Sequence, residues 1–243
     1  MAEVYNERID KILSSAGLLS RRDCARACKG GRITVNGKTE KSSSRKVTQN
    51  DVLCLDGNEV IYSEFIYILM NKPQGYVCAA EDGRYPTVFT LLPAGYSNLG
   101  LFTVGRLDMN TTGVLIITND GQLSHSLLAP KNKIFKTYSA QLKFPVSEND
   151  IKLAAEGLEL DNDETALPAI ITKISDTEAH IKVYEGKFHL IKRIFLALHN
   201  QVRELERIDF TGITCKGLEI GEWRQLDKNE IDTLKSAANG KNG

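Results

Sequence analysis

The sequence predicts an α+β fold in two parts, a small basic N-terminal module followed by a larger domain on a mixed, largely antiparallel β-sheet. Three observations predict it. Charge is unevenly spread along the chain. The first sixty residues run helix, basic helix, strand and tight turn. The remainder sets short apolar strands among fewer helical stretches, which suits a largely antiparallel sheet better than regular βαβ winding.

Lys and Arg number 31 and so do Asp and Glu, giving a net charge of zero. Through Asn50, however, eleven Lys or Arg face five acids, so the opening stretch carries an excess of six positive charges and the rest the same excess of negative ones. This excludes a protein that is basic throughout. It points instead to a basic N-terminal module that meets a polyanion.

In the module, Ile9, Ile12, Leu13 and Ala16 recur at helical spacing over residues 7–16, and Gly17 supplies a stop. Ser20 is placed to cap a second helix through Cys28, with Ala25 and Cys28 facing inward and Arg21, Arg22, Arg26 and Lys29 filling other positions. Gly30 and Gly31 end it. Residues 32–35 alternate as a short strand, and Asn36-Gly37 is a strong hairpin turn. A Ser-rich stretch over 41–46 and a strand over 51–55 lead to a domain boundary expected after residue 61. The apolar run 65–70 then opens a new core strand.

In the larger domain, 62–236, strands are expected over 101–104, 114–118, 136–142, 169–174 and 179–183. Helices are expected over 123–129, 148–155, 190–198 and 230–236. The end, 237–243, reads as a disordered tail.

Apolar residues make up 42% of the 243, enough for one substantial core and a small accessory domain. No apolar run reaches the roughly 18 to 20 residues that span a bilayer, and MAEVYNERIDKIL has no secretory pattern, so the chain is expected in the cytoplasm, off the membrane. The five cysteines, Cys24, Cys28, Cys54, Cys78 and Cys215, are odd in number and scattered, which predicts reduced thiols. Cys24 and Cys28 lack a second close pair, and His125, His180 and His199 are not spaced as ligands, so no metal site is expected.

Two resemblances add to this. The stretch ERIDKILSSAGLLSRRDCARACKGGRITVNGK resembles the S4 (αL-like) RNA-binding domain. That likeness implies that Arg8, Arg21, Arg22, Arg26, Lys29 and Arg32 present cations to RNA phosphates, which gives affinity with little sequence readout. The stretch VGRLDMNTTGVLIITNDGQLSHSLLAP, 104–130, resembles the catalytic motif of pseudouridine synthases of the RsuA and RluB type. Lys136-Thr137-Tyr138 and EGKFHLIKRIF, 185–195, agree in order. The likeness is greatest to the branch that acts on the small ribosomal subunit, because TALPA, 165–169, precedes the third motif and no long basic extension follows.

The resemblance implies an enzyme that isomerises a uridine of ribosomal RNA, most like those acting on 16S RNA, with no cofactor. It implies a monomer working on RNA within an assembling small subunit. It makes Asp108 the catalytic carboxylate, Tyr138 the ring that stacks on the extruded uracil, and Lys192 the cation paired with Asp108. Arg193 is the neighbouring alternative, since on a helix only one of the two can face the pocket. Arg106 has the planar group to fill a vacated stack or grip a phosphate. A carboxylate in a dry site needs such a cation, because an unpaired buried charge is costly. One departure stands out: relatives commonly have His-Gln where this chain has His189-Leu190, expected to be a packing substitution. The competing readings are a synthase for the large subunit and a non-catalytic RNA-binding assembly factor.

Overall fold

A computed structural model describes residues 6–16, 18–60, 62, 65–97, 99–161 and 163–240. The chain forms two compact units, Met1–Ile66 with Leu92–Leu101, and Tyr67–Leu91 with Phe102–Gly243. No sequence signal foreshadowed the grouping of Leu92–Leu101 with the first unit. Position 61, at the expected boundary, lies outside the described residues, as do 241–243 of the expected tail.

In the first unit, β1 (Asn6–Arg8) pairs antiparallel with β4 (Lys46–Thr48). Helices α1 (Ile9–Ser15) and α2 (Arg21–Lys29) pack together, and β2 (Ile33–Val35), β3 (Lys38–Thr39), β5 (Leu53–Leu55) and β6 (Asn58–Glu59) form a sheet of order β3-β2-β5-β6. Ser20 caps α2 as expected, its hydroxyl accepting from the Asp23 N–H at 3.1 Å. Asn36 and Gly37 both take positive φ, 52° and 76°, the conformation a tight turn of this hand requires. Two details differ from expectation. Residues 7–8 are extended where the sequence predicts the start of a helix, and α2 buries Cys24, Ala27 and Cys28, leaving Ala25 half-buried. Burial pushes the Cys24 thiol up to about 12 and raises that of Cys28 too, so both are protonated packing groups in this small core.

The second unit contains β7 (Tyr67–Lys72), β8 (Phe102–Thr103), β9 (Thr111–Thr118), α3 (Gly121–Leu128), β10 (Lys136–Leu142), α4 (Glu148–Glu156), β11 (Leu158–Glu159), β12 (Thr165–Ala166), β13 (Ile170–Lys173), β14 (Glu178–Val183), α5 (Leu190–Ala197), β15 (Val202–Phe210), β16 (Trp223–Gln225) and α6 (Lys228–Ala238). Its main sheet has the order β13-β14-β10-β15-β9-β7-β16, with β8 also on β9. Among the described residues of this sheet only β9 with β15 is a parallel pair, so the expected mixed, largely antiparallel sheet is what forms. One apolar cluster holds α4 and α5 against β10, β13, β14 and β15; another holds α3 and α6 against β7 and β9. Because α6 runs to Ala238 with Ala237 buried, the expected tail begins inside a helix.

β15 was not expected, although it lies at the centre of the sheet. Its sequence VRELERIDF has few apolar residues and carries charge on both sides of Leu205. β15 reaches the sheet through Gly113. With φ at 97°, a Cβ there would stand 2.3 Å from the Arg207 carbonyl oxygen, so the glycine of Thr-x-Gly permits the parallel pairing of β9 with β15. Among the described residues, no helix is long and apolar enough to cross a membrane.

Candidate active site

Asp108 lies in the loop between β8 and β9, which begins Val104-Gly105-Arg106-Leu107. This loop is pinned from several sides. Lys72 ends β7 with no exposed surface, and its Nζ donates to the carbonyls of Pro73 (3.0 Å), Asp108 (3.1 Å), Met109 (3.3 Å) and Thr111 (3.0 Å). Gly75 N–H donates to the Met109 carbonyl at 2.9 Å, and Thr111 N–H to that of Asp108 at 3.0 Å. Cys78 adds a reciprocal contact, its thiol donating to the Leu107 carbonyl at 3.5 Å and accepting from the Leu107 N–H at 3.4 Å. An ammonium satisfying several carbonyls sets the backbone that aims the carboxylate. Burial pushes Lys72 down to about 8 and raises the Cys78 thiol.

The Asp108 carboxylate meets the first turn of α5. Lys192 Nζ donates to Asp108 Oδ2 at 2.8 Å and to Asn110 Oδ1, also at 2.8 Å. His189, the residue before α5, brings Nε2 to 3.5 Å from Asp108 Oδ1. A carboxylate at a helix N-terminus is also favoured by the helix dipole. The open choice between the two cations is thereby resolved for Lys192. Arg193 points elsewhere, its Nη1 donating to Glu164 at 2.7 Å and its Nε and Nη2 to Asp161. Its guanidinium ties α5 to the segment between β11 and β12.

A narrow cleft of about 80 Å³ is lined by Arg106, Asp108, Tyr138, Glu185, His189 and Lys192 among others. Tyr138 is half-buried on β10, opposite Arg207 of β15, and packs against the α4–α5 cluster. Arg106 is exposed at the rim. Leu190 is buried in that same apolar cluster. Glu185 of the lining and Lys136 are buried charged groups close to one another. Glu185 accepts from the Leu167 N–H at 2.7 Å and pairs with Lys187 at 3.0 Å, while burial pushes Lys136 down to about 8. A larger concavity of about 800 Å³, lined by Phe135, Lys182, Asp209 and Asp232 among others, contains none of the motif residues.

The carboxylate, ammonium, tyrosine and rim arginine of the sequence motifs therefore meet in one cleft. Sequence reasoning passed over Lys72, Cys78, Asn110 and His189. For Lys72 a signal existed, a lysine continuing an apolar run with Pro73 after it; for Cys78 there was none.

In the first unit, the cations expected to meet RNA divide in two. Arg8 pairs with Asp10, Arg26 with Asp23, and Arg32 with both oxygens of Asp56. Arg21, Arg22 and Lys29 are exposed and make no ion pair among the described residues.

Comparison with known proteins shows what the chain is similar to. Residues 66–197 match the family described as RNA pseudouridylate synthase, and residues 7–53 match the S4 domain. The protein named ribosomal small subunit pseudouridine synthase A of Vibrio vulnificus is 38% identical over 231 residues, covering 93% of this chain and 99% of the relative. Its namesake in Escherichia coli is 35% identical over 232 residues, with the same coverage. A crystal structure titled pseudouridylate synthase aligns with a TM-score of 0.67 at 34% identity, covering 94% of this chain and 99% of the other.

Proposed function

Because the chain belongs to the RNA pseudouridylate synthase family and carries an S4 domain, we propose that it isomerises one uridine of small-subunit (16S) ribosomal RNA, using Asp108 as its catalytic carboxylate. The observation that carries this is the 2.8 Å pair of Lys192 and Asp108 in a cleft that also offers Tyr138 and Arg106.

The reaction breaks the N1–C1′ bond, turns the uracil and joins C5 to C1′, with one proton leaving C5 and one taken up at N1. Product and substrate have the same formula. One carboxylate can serve the sugar, as nucleophile or as base for a ribose proton, and be regenerated when the new bond forms. Lys192 compensates the carboxylate's charge and fixes its direction, so that the group is oriented before substrate arrives. The uridine has to leave its stack first. Arg106 at the rim fills the space or grips the adjoining phosphate, and Tyr138 receives the base against its ring.

The S4 module, 1–61, supplies affinity through Arg21, Arg22 and Lys29 and leaves the chemistry to the domain over 62–236. The protein works in the cytoplasm as a monomer, on ribosomal RNA in an assembling small subunit. The test is to incubate the purified chain, without added cofactor, with unmodified small- and large-subunit RNA and a 30S-like particle, and to map pseudouridines chemically. One new site in the small-subunit RNA is expected. A site in the large-subunit RNA alone would reassign the substrate, and no conversion of any RNA would favour the assembly factor.

A further inference from the structure

A pair of rings stands beside the catalytic carboxylate, and the chemistry above uses neither. Phe188 stacks on His189 with ring centroids 3.7 Å apart and an interplanar angle of 24°. His189 in turn holds Nε2 3.5 Å from Asp108 Oδ1. The order from the centre outward is carboxylate, imidazole, phenyl. Phe188 is 69% exposed, more than any other aromatic ring among the exposed large apolar side chains of the described residues.

Its backbone setting is anchored. His189 sits in the left-handed region, φ 51°, immediately before α5, a conformation uncommon for a residue with a Cβ. On the other side, Lys187 is bound to Glu185 and to the Thr165 carbonyl. Such a segment does not turn its phenyl ring inward, although the α4–α5 core takes in Leu190 only two positions on. One face of the ring lies on His189, and the side chain as a whole is largely exposed.

An exposed, held aromatic face one stacking distance out from a reaction centre fits a flat, uncharged partner. In an RNA-modifying enzyme that partner is a nucleobase, and stacking tolerates any base because each has a π-face. We infer that Phe188 is a positioning residue for the RNA, stacking on a base next to the extruded uridine while His189 spaces it from Asp108. This rests on the proposed function and extends it with a contact to a neighbouring nucleotide.

The test uses the full chain and an unmodified small-subunit RNA fragment spanning the mapped uridine, with Phe188 replaced by Ala, Leu, Tyr and Trp. Because the side chain is largely exposed, all four variants should fold. Phe188→Ala and Phe188→Leu should raise KM for the fragment by about 5- to 100-fold, the range that loss of one stacked base gives, with a smaller change in kcat. Phe188→Tyr and Phe188→Trp should restore it. In parallel, 2-aminopurine placed on either side of the uridine should be quenched on binding by the parent protein at one position, and that quenching should vanish with Phe188→Ala. Leucine performing as well as phenylalanine, or quenching that survives Phe188→Ala, would overturn the inference. Failure of the parent protein to form pseudouridine would sink the proposed function instead, which keeps the two separable.

Discussion

The two units hold their cations in opposite ways. In the N-terminal unit they are many and exposed: Arg21, Arg22 and Lys29 stand without ion pairs among the described residues, and the pairs of Arg26 and Arg32 lie at the surface. In the larger unit two cations are held by specific partners: Lys192, part-buried, on Asp108, and Lys72, with no exposed surface, beneath the loop. Exposed charges are screened and individually weak, whereas part-buried and buried ones are screened less and are directional. Under the proposed function the contrast is a division of labour, in which many weak contacts hold a polyanion and one well-oriented pair serves the chemistry.

Substitutions can break this contrast. The largest effect expected is that of Asp108→Asn, which keeps the shape, removes the charge and lowers conversion by on the order of 10⁴ or more, as loss of a nucleophile or an essential carboxylate does elsewhere. Next is Lys192→Met, where loss of one oriented cation is expected to cost about 10²- to 10³-fold in single-turnover rate with RNA binding nearly unchanged. Partial recovery in Lys192→Arg would mark the effect as one of charge.

Lys72→Met tests whether the loop, and not only the carboxylate, has to be held. Stripping a donor from four carbonyls is expected to lower unfolding free energy in urea by about 1 to 3 kcal/mol and to slow conversion. Full activity in that variant would show that Gly75, Cys78 and the Thr111 turn suffice.

Arg21→Ala with Arg22→Ala should act in the opposite sense. KM for RNA should rise several-fold, kcat should hold, and the slope of log affinity against log salt should flatten by about 0.7 for each single-strand phosphate that is no longer neutralised. A change confined to kcat would contradict the division of labour.

The smallest effect is in pH-dependent stability. Lys72 and Lys136 bind their protons less tightly in the folded chain, at about 8, than in the unfolded one near 10.5, so the unfolded chain holds more protons between those values. Stability therefore gains from these two groups as pH rises above about 8, and loses that gain as pH falls through 8. The thiols of buried Cys24 (about 12) and half-buried Cys215 (about 11), raised from 9.0 by desolvation, oppose this above pH 9. Urea midpoints should rise between pH 8 and 9 and then turn over. Lys72→Met should weaken the rise.

Much of this was legible in the sequence. The apolar run leading into β7, the Asn36-Gly37 turn and the Ser20 cap each follow from local chemistry, and the resemblance singled out Arg106, Asp108, Tyr138 and Lys192, which line one cleft. What stayed hidden depends on partners distant in sequence. β15 reads as a charged segment because its hydrophobic justification, the cover of α5 and the close approach at Gly113, comes from other elements. The resemblance favours Lys192 over Arg193, but their partners, Asp108 for one and Asp161 with Glu164 for the other, appear only in the fold. Cys78 gives no warning at all, since its role is a backbone contact to Leu107, 29 residues on.

The most direct measurement is single-turnover pseudouridine formation by Asp108→Asn, with RNA affinity measured on the same preparation. No detectable product is predicted, at an affinity within a few-fold of the parent protein, because the N-terminal cations are untouched. Product formed by Asp108→Asn at the parent rate would contradict the assignment of the chemistry to this carboxylate.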